Sequence, residues 1–197
     1  MTHVTPLDRA SVPELEAVFA GVEASMGFVP TSMLTMAHWP ELLQGFGTLG
    51  GTVMGPGSID PGLKALVAFV ISNAAGCRYC QAHTSHTAER RGIDQQKIDA
   101  AFEYETSALF SEAERAALRV AAHAGMVPNA VTPEHMAALA EHFEPRQITE
   151  LVGVISLFGF LNRWNDTMAT TLEDHPREFA ETRLAKNGWQ VSKHAAS

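Results

Sequence analysis

Two stretches of this chain, residues 62–75 and 146–165, are apolar on almost every side. The first carries Leu63, Leu66, Val67, Phe69, Val70 and Ile71, and the second Leu151, Val152, Val154, Ile155, Leu157 and Phe158. Wound as helices, they leave no polar face for water, so each belongs at the centre of a bundle or at a subunit interface. Neither reads as a membrane span. The longer apolar run, residues 151–161, is broken by Gly153, Ser156 and Gly159 and ends at Asn162-Arg163.

The punctuation around these stretches is helical. Ser11-Val-Pro-Glu14 and Ser111-Glu-Ala-Glu114 have capping-box spacing, in which the hydroxyl accepts the third amide and the glutamate reaches back. Pro40, Pro61, Pro133, Pro145 and Pro176 stand where helices start, and Gly92 and Gly125 where they stop. No stretch sustains the period-two alternation of a strand. The segment Gly47–Gly57 lacks the Gly-Lys-Ser/Thr of a phosphate loop and reads as a frayed helix end and a turn. The expectation is one all-α domain over residues 1–197, a bundle of about seven to nine helices. Within it lie a cysteine helix at about 77–91 and a flexible tail at about 188–197.

An internal echo runs through the chain at an offset of 85 residues. Leu66-Val67…Cys77-Arg-Tyr-Cys80 aligns with Leu151-Val152…Asn162-Arg-Trp-Asn165. It suggests two related helical units packed face to face, of which one kept cysteines.

Charge narrows the partners. With 14 Lys and Arg against 22 Asp and Glu, the net charge is −8 and no basic cluster occurs, which argues against nucleic acid and anionic membranes. The first residues have neither the basic nor the apolar region of a signal peptide, so a soluble, cytoplasmic protein is expected. Two cysteines cannot staple a chain of this size.

Those two cysteines are the chemical signal. They stand three apart, in Cys77-Arg-Tyr-Cys80, a spacing chance would give about once in a hundred. The motif follows the first apolar helix across Gly76 and opens the next helix, where free amides and the helix dipole stabilise a thiolate. Residues i and i+3 share a face, so a disulfide there forms and breaks with little backbone movement. His83 is the nearest imidazole, about 60° round the helix from Cys80, and is the candidate proton carrier; His86 is the second. Zinc is disfavoured, because Cys77, Cys80, His83 and His86 on one helix span about 13 Å. Haem attachment needs His directly after the second cysteine, where Gln81 stands. Inert core thiols are the plain alternative.

Gly76-Cys-Arg-Tyr-Cys-Gln-Ala-His83, with the buried helix before it and Ala88…Gly92 after it, resembles the alkylhydroperoxidase D-like (carboxymuconolactone decarboxylase) superfamily. Gly27-Phe-Val-Pro30, Pro40-Glu-Leu-Leu43, residues 111–117 and Phe160-Leu-Asn-Arg-Trp-Asn165 add to the resemblance, which covers residues 20–175. It implies an all-α fold, a homo-oligomer (trimer, dimer or hexamer) and reduction of hydroperoxides. By the same resemblance Cys80 attacks the peroxide, Cys77 resolves the sulfenic acid, and no cofactor is needed beyond an external dithiol, lipoyl or thioredoxin-like. Two positions depart from the family pattern. Thr84 stands where the family places its histidine, and Ala65 where the peroxidase members place a glutamate; Glu150 matches Ala65 through the internal echo. A lactone decarboxylase and a non-catalytic oligomeric binding protein are the alternative functions. Trp39 and Trp164 read as buried anchors, with Trp164 and Asn165 near the cysteines. Met26, Met33, Met36 and Met54 read as core or interface filler rather than a copper site.

Overall fold

The computed structural model describes residues 2–196 and, among them, ten α-helices and no strand. In chain order these are α1 (Glu16–Met26), α2 (Thr31–Met36), α3 (Pro40–Met54), α4 (Pro61–Ala74) and α5 (Arg78–Arg90), then α6 (Gln95–Asp99), α7 (Glu112–Ala124), α8 (Pro133–Ala140), α9 (Pro145–Met168) and α10 (Asp174–Arg183). Eight have seven or more residues; α2 and α6 are short additions. No helix among the described residues is long and apolar enough to cross a membrane.

The first apolar stretch becomes α4, the central helix, which packs against α5, α7 and α9 and is buried from Gly62 to Ser72. Its start is well determined. Pro61 takes the first turn, and the Asp60 carboxylate accepts from the Gly62 and Leu63 amides at 2.9 and 3.0 Å. Its one charge, Lys64, is neutralised where it lies: the ammonium donates to the Val53 and Gly55 carbonyls at the end of α3 and sits 3.3 Å from Glu150. Gly125, the C-cap of α7, lies close against α4: a Cβ there would be 2.8 Å from Ala74 Cβ and 2.9 Å from the Ile71 carbonyl oxygen. That glycine therefore serves close packing, and its φ of −74° is an ordinary helical value.

The second apolar stretch, α9, is enclosed on one face only. Leu151, Val154, Ile155 and Leu157 are buried, while Val152 and Phe160 are exposed and Phe160 stacks between Phe46 and Trp164. A smaller core of Leu15, Phe19, Met33, Met36 and Leu43 joins α1, α2 and α3. Met33 and Met36 are filler as expected, and Trp39 is not the expected anchor: it is 62% exposed at the start of α3.

Three further expectations are corrected. The box at Ser11–Glu14 does not form; Val12, at φ −133° and ψ 62°, splits the segment into two 3-10 turns, and the Ser11 hydroxyl donates to the Asp8 carbonyl instead. At Ser111–Glu114 the full box does form. In the region 47–57, α3 continues to Met54, leaving only the turn that follows it. In the tail, described as far as residue 196, Trp189 and His194 are packed against the bundle rather than free. Trp189 is buried with its indole N–H on the Arg78 carbonyl at 3.1 Å, and the Leu172 amide donates to the His194 carbonyl at 2.9 Å.

The two members of the internal echo are built differently. The first member is broken at Gly76, φ +76°, between α4 and α5, whereas the second lies within one unbroken helix, α9.

Candidate active site

Gly76 turns the chain out of α4, so Cys77 becomes the extended N-cap of α5 and Cys80 falls in the first turn of that helix. Both thiols are free and buried. The Asn165 amide nitrogen donates to Cys80 Sγ at 3.4 Å. The expectation that Asn165 lies near the cysteines is met.

The two sulfurs occupy unlike environments. The neighbouring Cys80 thiol, opposed by burial and assisted by His194, lowers the Cys77 thiol to about 6. Burial, reinforced by Cys77, pushes the Cys80 thiol well above the ordinary thiol range. Thr84, at the family's histidine position, is buried and spends its hydroxyl on the Cys80 carbonyl at 2.6 Å.

His83 lies on a different side of α5. Its Nε2 is 2.6 Å from Glu173 at the N-terminus of α10, and its ring stacks on Tyr79 with centroids 4.4 Å apart. Glu173 also accepts from the Tyr79 hydroxyl at 2.8 Å and from the Thr31 amide. Burial works against this carboxylate, but the His83 imidazole and the two further donors hold it down at about 2. No hydrogen bond joins His83 to either cysteine among the described residues. His83, His86, Phe28 and Arg90 line a cleft of about 290 Å³. His86 packs on Phe179, and burial with the nearby Arg90 pushes its imidazole down.

Beside Cys77 stand two groups that sequence reasoning missed, Asp166 of α9 and His194 of the tail. Their ligating atoms and Cys77 Sγ all lie within 4.8 Å of one another. These three groups, and not the run of cysteines and histidines along α5, are the ones whose polar atoms converge. Asp166 also pairs with Lys193 at 2.9 Å and, with Ile71, Met126, Asn162 and Arg163, lines a second cleft of about 410 Å³. Both polar atoms of the Asn162 side chain, Asn165 Oδ1 and His194 Nε2 are buried without hydrogen-bond partners. The buried carboxylate at the site is Glu173, and Glu150 is not a substitute for the family glutamate. It sits near the opposite end of α9, accepting from the Ser58 amide and hydroxyl and from Arg146. The one local hint of Glu173 was its place just before a Pro-marked helix start; nothing in sequence pointed to His194.

Comparison with known proteins places the fold. Residues 40–123 match the model of the carboxymuconolactone decarboxylase family. The structure of the debrominase Bmp8, whose C82A variant is known in complex with 2,3,4-tribromopyrrole, is 40% identical over 92% of this chain and 97% of that one, with a TM-score of 0.87. An uncharacterized peroxidase-related protein with an alkylhydroperoxidase AhpD core, from Ralstonia eutropha JMP134, covers all of this chain at 20% identity and a TM-score of 0.78. The uncharacterized protein YnjA of Escherichia coli K12 is 33% identical over 110 residues, which span 56% of this chain and 60% of that relative's length.

Proposed function

Because this chain belongs to the alkylhydroperoxidase D-like (carboxymuconolactone decarboxylase) superfamily, we propose that it is a dithiol oxidoreductase that reduces small organic hydroperoxides through Cys77 and Cys80. The observation that carries this reading is two free, buried thiols on one helical turn in unlike surroundings, Cys77 beside Asp166 and His194 and Cys80 under the Asn165 amide. His194 favours the thiolate at Cys77, and burial favours the proton on Cys80. A thiolate beside a proton-bearing thiol is the reduced form from which a disulfide closes.

The Cys77 thiolate attacks the terminal oxygen of the peroxide, the O–O bond breaks, and the alkoxide leaves with a proton as alcohol. Cys80 then loses its proton and attacks the sulfenic sulfur, releasing water and forming the disulfide. An external dithiol, lipoyl or thioredoxin-like, returns both cysteines to thiols and is itself oxidised. These roles reverse those implied by the resemblance. Cys77 is the sulfur beside Asp166, which lines the 410 Å³ cleft, while Cys80 is turned to Asn165. Asn162, which lines that cleft and whose side-chain amide has no protein partner, supplies a donor and an acceptor for a small polar substrate. A homo-oligomer is part of the proposal, supported by the exposed apolar strip of Val152 and Phe160 on α9.

The 40% identity to a debrominase favours a second substrate class, halogenated electron-rich aromatics. In that chemistry the thiolate takes the halogen from carbon, the ring carbon takes a proton, and Cys80 displaces halide to give the same disulfide. The test is a single turnover of the reduced protein with cumene hydroperoxide and, separately, a bromopyrrole. Wild type should consume one equivalent and form the Cys77–Cys80 disulfide. Cys80→Ser should stop at a trappable sulfenic acid on Cys77, and Cys77→Ser should be inert. Equal rates in all three, or the reverse pattern between the two variants, would sink this mechanism.

A further inference from the structure

We infer that His194, carried to the site by the C-terminal segment, is the proton acceptor of Cys77. The family match ends at residue 123, so this group lies outside the segment that defines the family.

The hydrogen bonding of the imidazole assigns its chemistry. His194 Nδ1 is 2.7 Å from the Thr170 carbonyl oxygen, which can only accept, so Nδ1 carries a hydrogen in the neutral ring as in the charged one. The lone pair of the neutral ring is therefore on Nε2. That atom is buried, has no aligned hydrogen bond and lies 3.5 Å from Asp166 Oδ1, in a cluster where a ring nitrogen of His194, Cys77 Sγ and an Asp166 oxygen all lie within 4.8 Å of one another. Proton transfer from the Cys77 thiol to Nε2 converts a neutral pair into thiolate and imidazolium. The groups facing that pair are Cys80 and Tyr79 of α5, Asp166 of α9 and Lys193 of the tail. Burial opposes a charge on His194, but Cys77, the Thr170 carbonyl and Asp166 outweigh it and raise its affinity for the proton.

The backbone holds the ring in place at a cost. Ser192, two residues before His194, has φ +53°, and Ala169, next to Thr170, has φ +48°. Left-handed geometry is unfavourable for a residue with a Cβ, and strain of this kind collects at functional sites. Trp189 on Arg78 and the Leu172–His194 backbone bond pin the same segment over the start of α5.

The inference rests on the dithiol reading for its place in turnover, yet its test uses neither peroxide nor reductant. In reduced Cys80→Ser protein with a chelator present, Cys77 thiolate is followed by absorbance at 240 nm and by iodoacetamide alkylation across pH. His194→Gln should move the midpoint up by about one pH unit or more and slow alkylation below that midpoint about tenfold. A midpoint unchanged within a few tenths overturns the inference. Should that variant not fold, nitrogen NMR of the His194 ring in the unsubstituted tail decides. Nδ1–H in the neutral ring, with Nε2 gaining its proton as the thiolate forms, supports the assignment, and a neutral ring protonated on Nε2 overturns it. Absent hydroperoxide turnover with these results intact would remove the proposed function and leave the role of His194 standing.

Discussion

Replacing Glu173 with Gln keeps the shape of the side chain and removes its charge. The amide oxygen can still accept from the Thr31 amide or the Tyr79 hydroxyl, so the variant isolates electrostatics from packing. In the folded protein the carboxyl is held down from an ordinary 4.5 to about 2. A carboxylate depressed in this way stabilises the fold fully above its unfolded value, near pH 4.5, and loses that contribution as pH falls through its folded value. The difference corresponds to about 3 kcal/mol at pH 7 and to roughly half of that at pH 3. Urea unfolding at pH 7 should show Glu173→Gln unfolding about 1–2 M earlier than wild type, for a slope of ordinary size. The gap should narrow steadily between pH 5 and pH 3. A variant within about 0.5 kcal/mol of wild type at pH 7, or a gap that does not change with pH, would refute the claim that the charge of Glu173 fastens α10 and α2 to α5.

Gly125→Ala should destabilise the fold by about 1–3 kcal/mol, since the added Cβ meets the Ile71 carbonyl and Ala74 across the α4–α7 contact; urea midpoints read this directly. Tyr79→Phe removes a hydrogen bond to a carboxylate, should cost about 2 kcal/mol, and should move acid unfolding to higher pH as Glu173 relaxes toward its ordinary range. Asn165→Leu takes away the amide that donates to Cys80, so in a Cys77→Ser background alkylation of Cys80 at pH 8 should slow several-fold; an unchanged rate would show that this contact does not act on the thiol.

The parts of the fold legible in sequence are those written in local periodicity. The unbroken apolar surface of residues 62–75 required the central position that α4 takes, because no face of that helix can meet water. For 146–165 the same argument offered a bundle centre or a subunit interface, and the outer face of α9, open at Val152 and Phe160, excludes only the first. Local pattern also failed at Ser11, where the capping spacing is present but the backbone at Val12 does not enter the helix. Trp39 was misplaced for a related reason: apolar character says what a side chain prefers, and its position at the exposed start of α3 left it nothing to pack beneath.

At the site, sequence alone determined that two thiols share one turn at the start of a helix behind a buried one, because a spacing of three and a glycine break are read within a few residues. Tertiary structure alone decided which groups surround each sulfur. The carboxylate is Glu173 rather than Glu150, the partner of His83 is that carboxylate rather than a cysteine, and Cys77 meets Asp166 and His194 while Cys80 meets Asn165. Those partners lie some 85 to 117 residues along the chain from the cysteines they face. The acidity of a thiol depends on which charges and donors come within a few ångströms, and only the packing of α9 and the tail onto α5 brings these within reach.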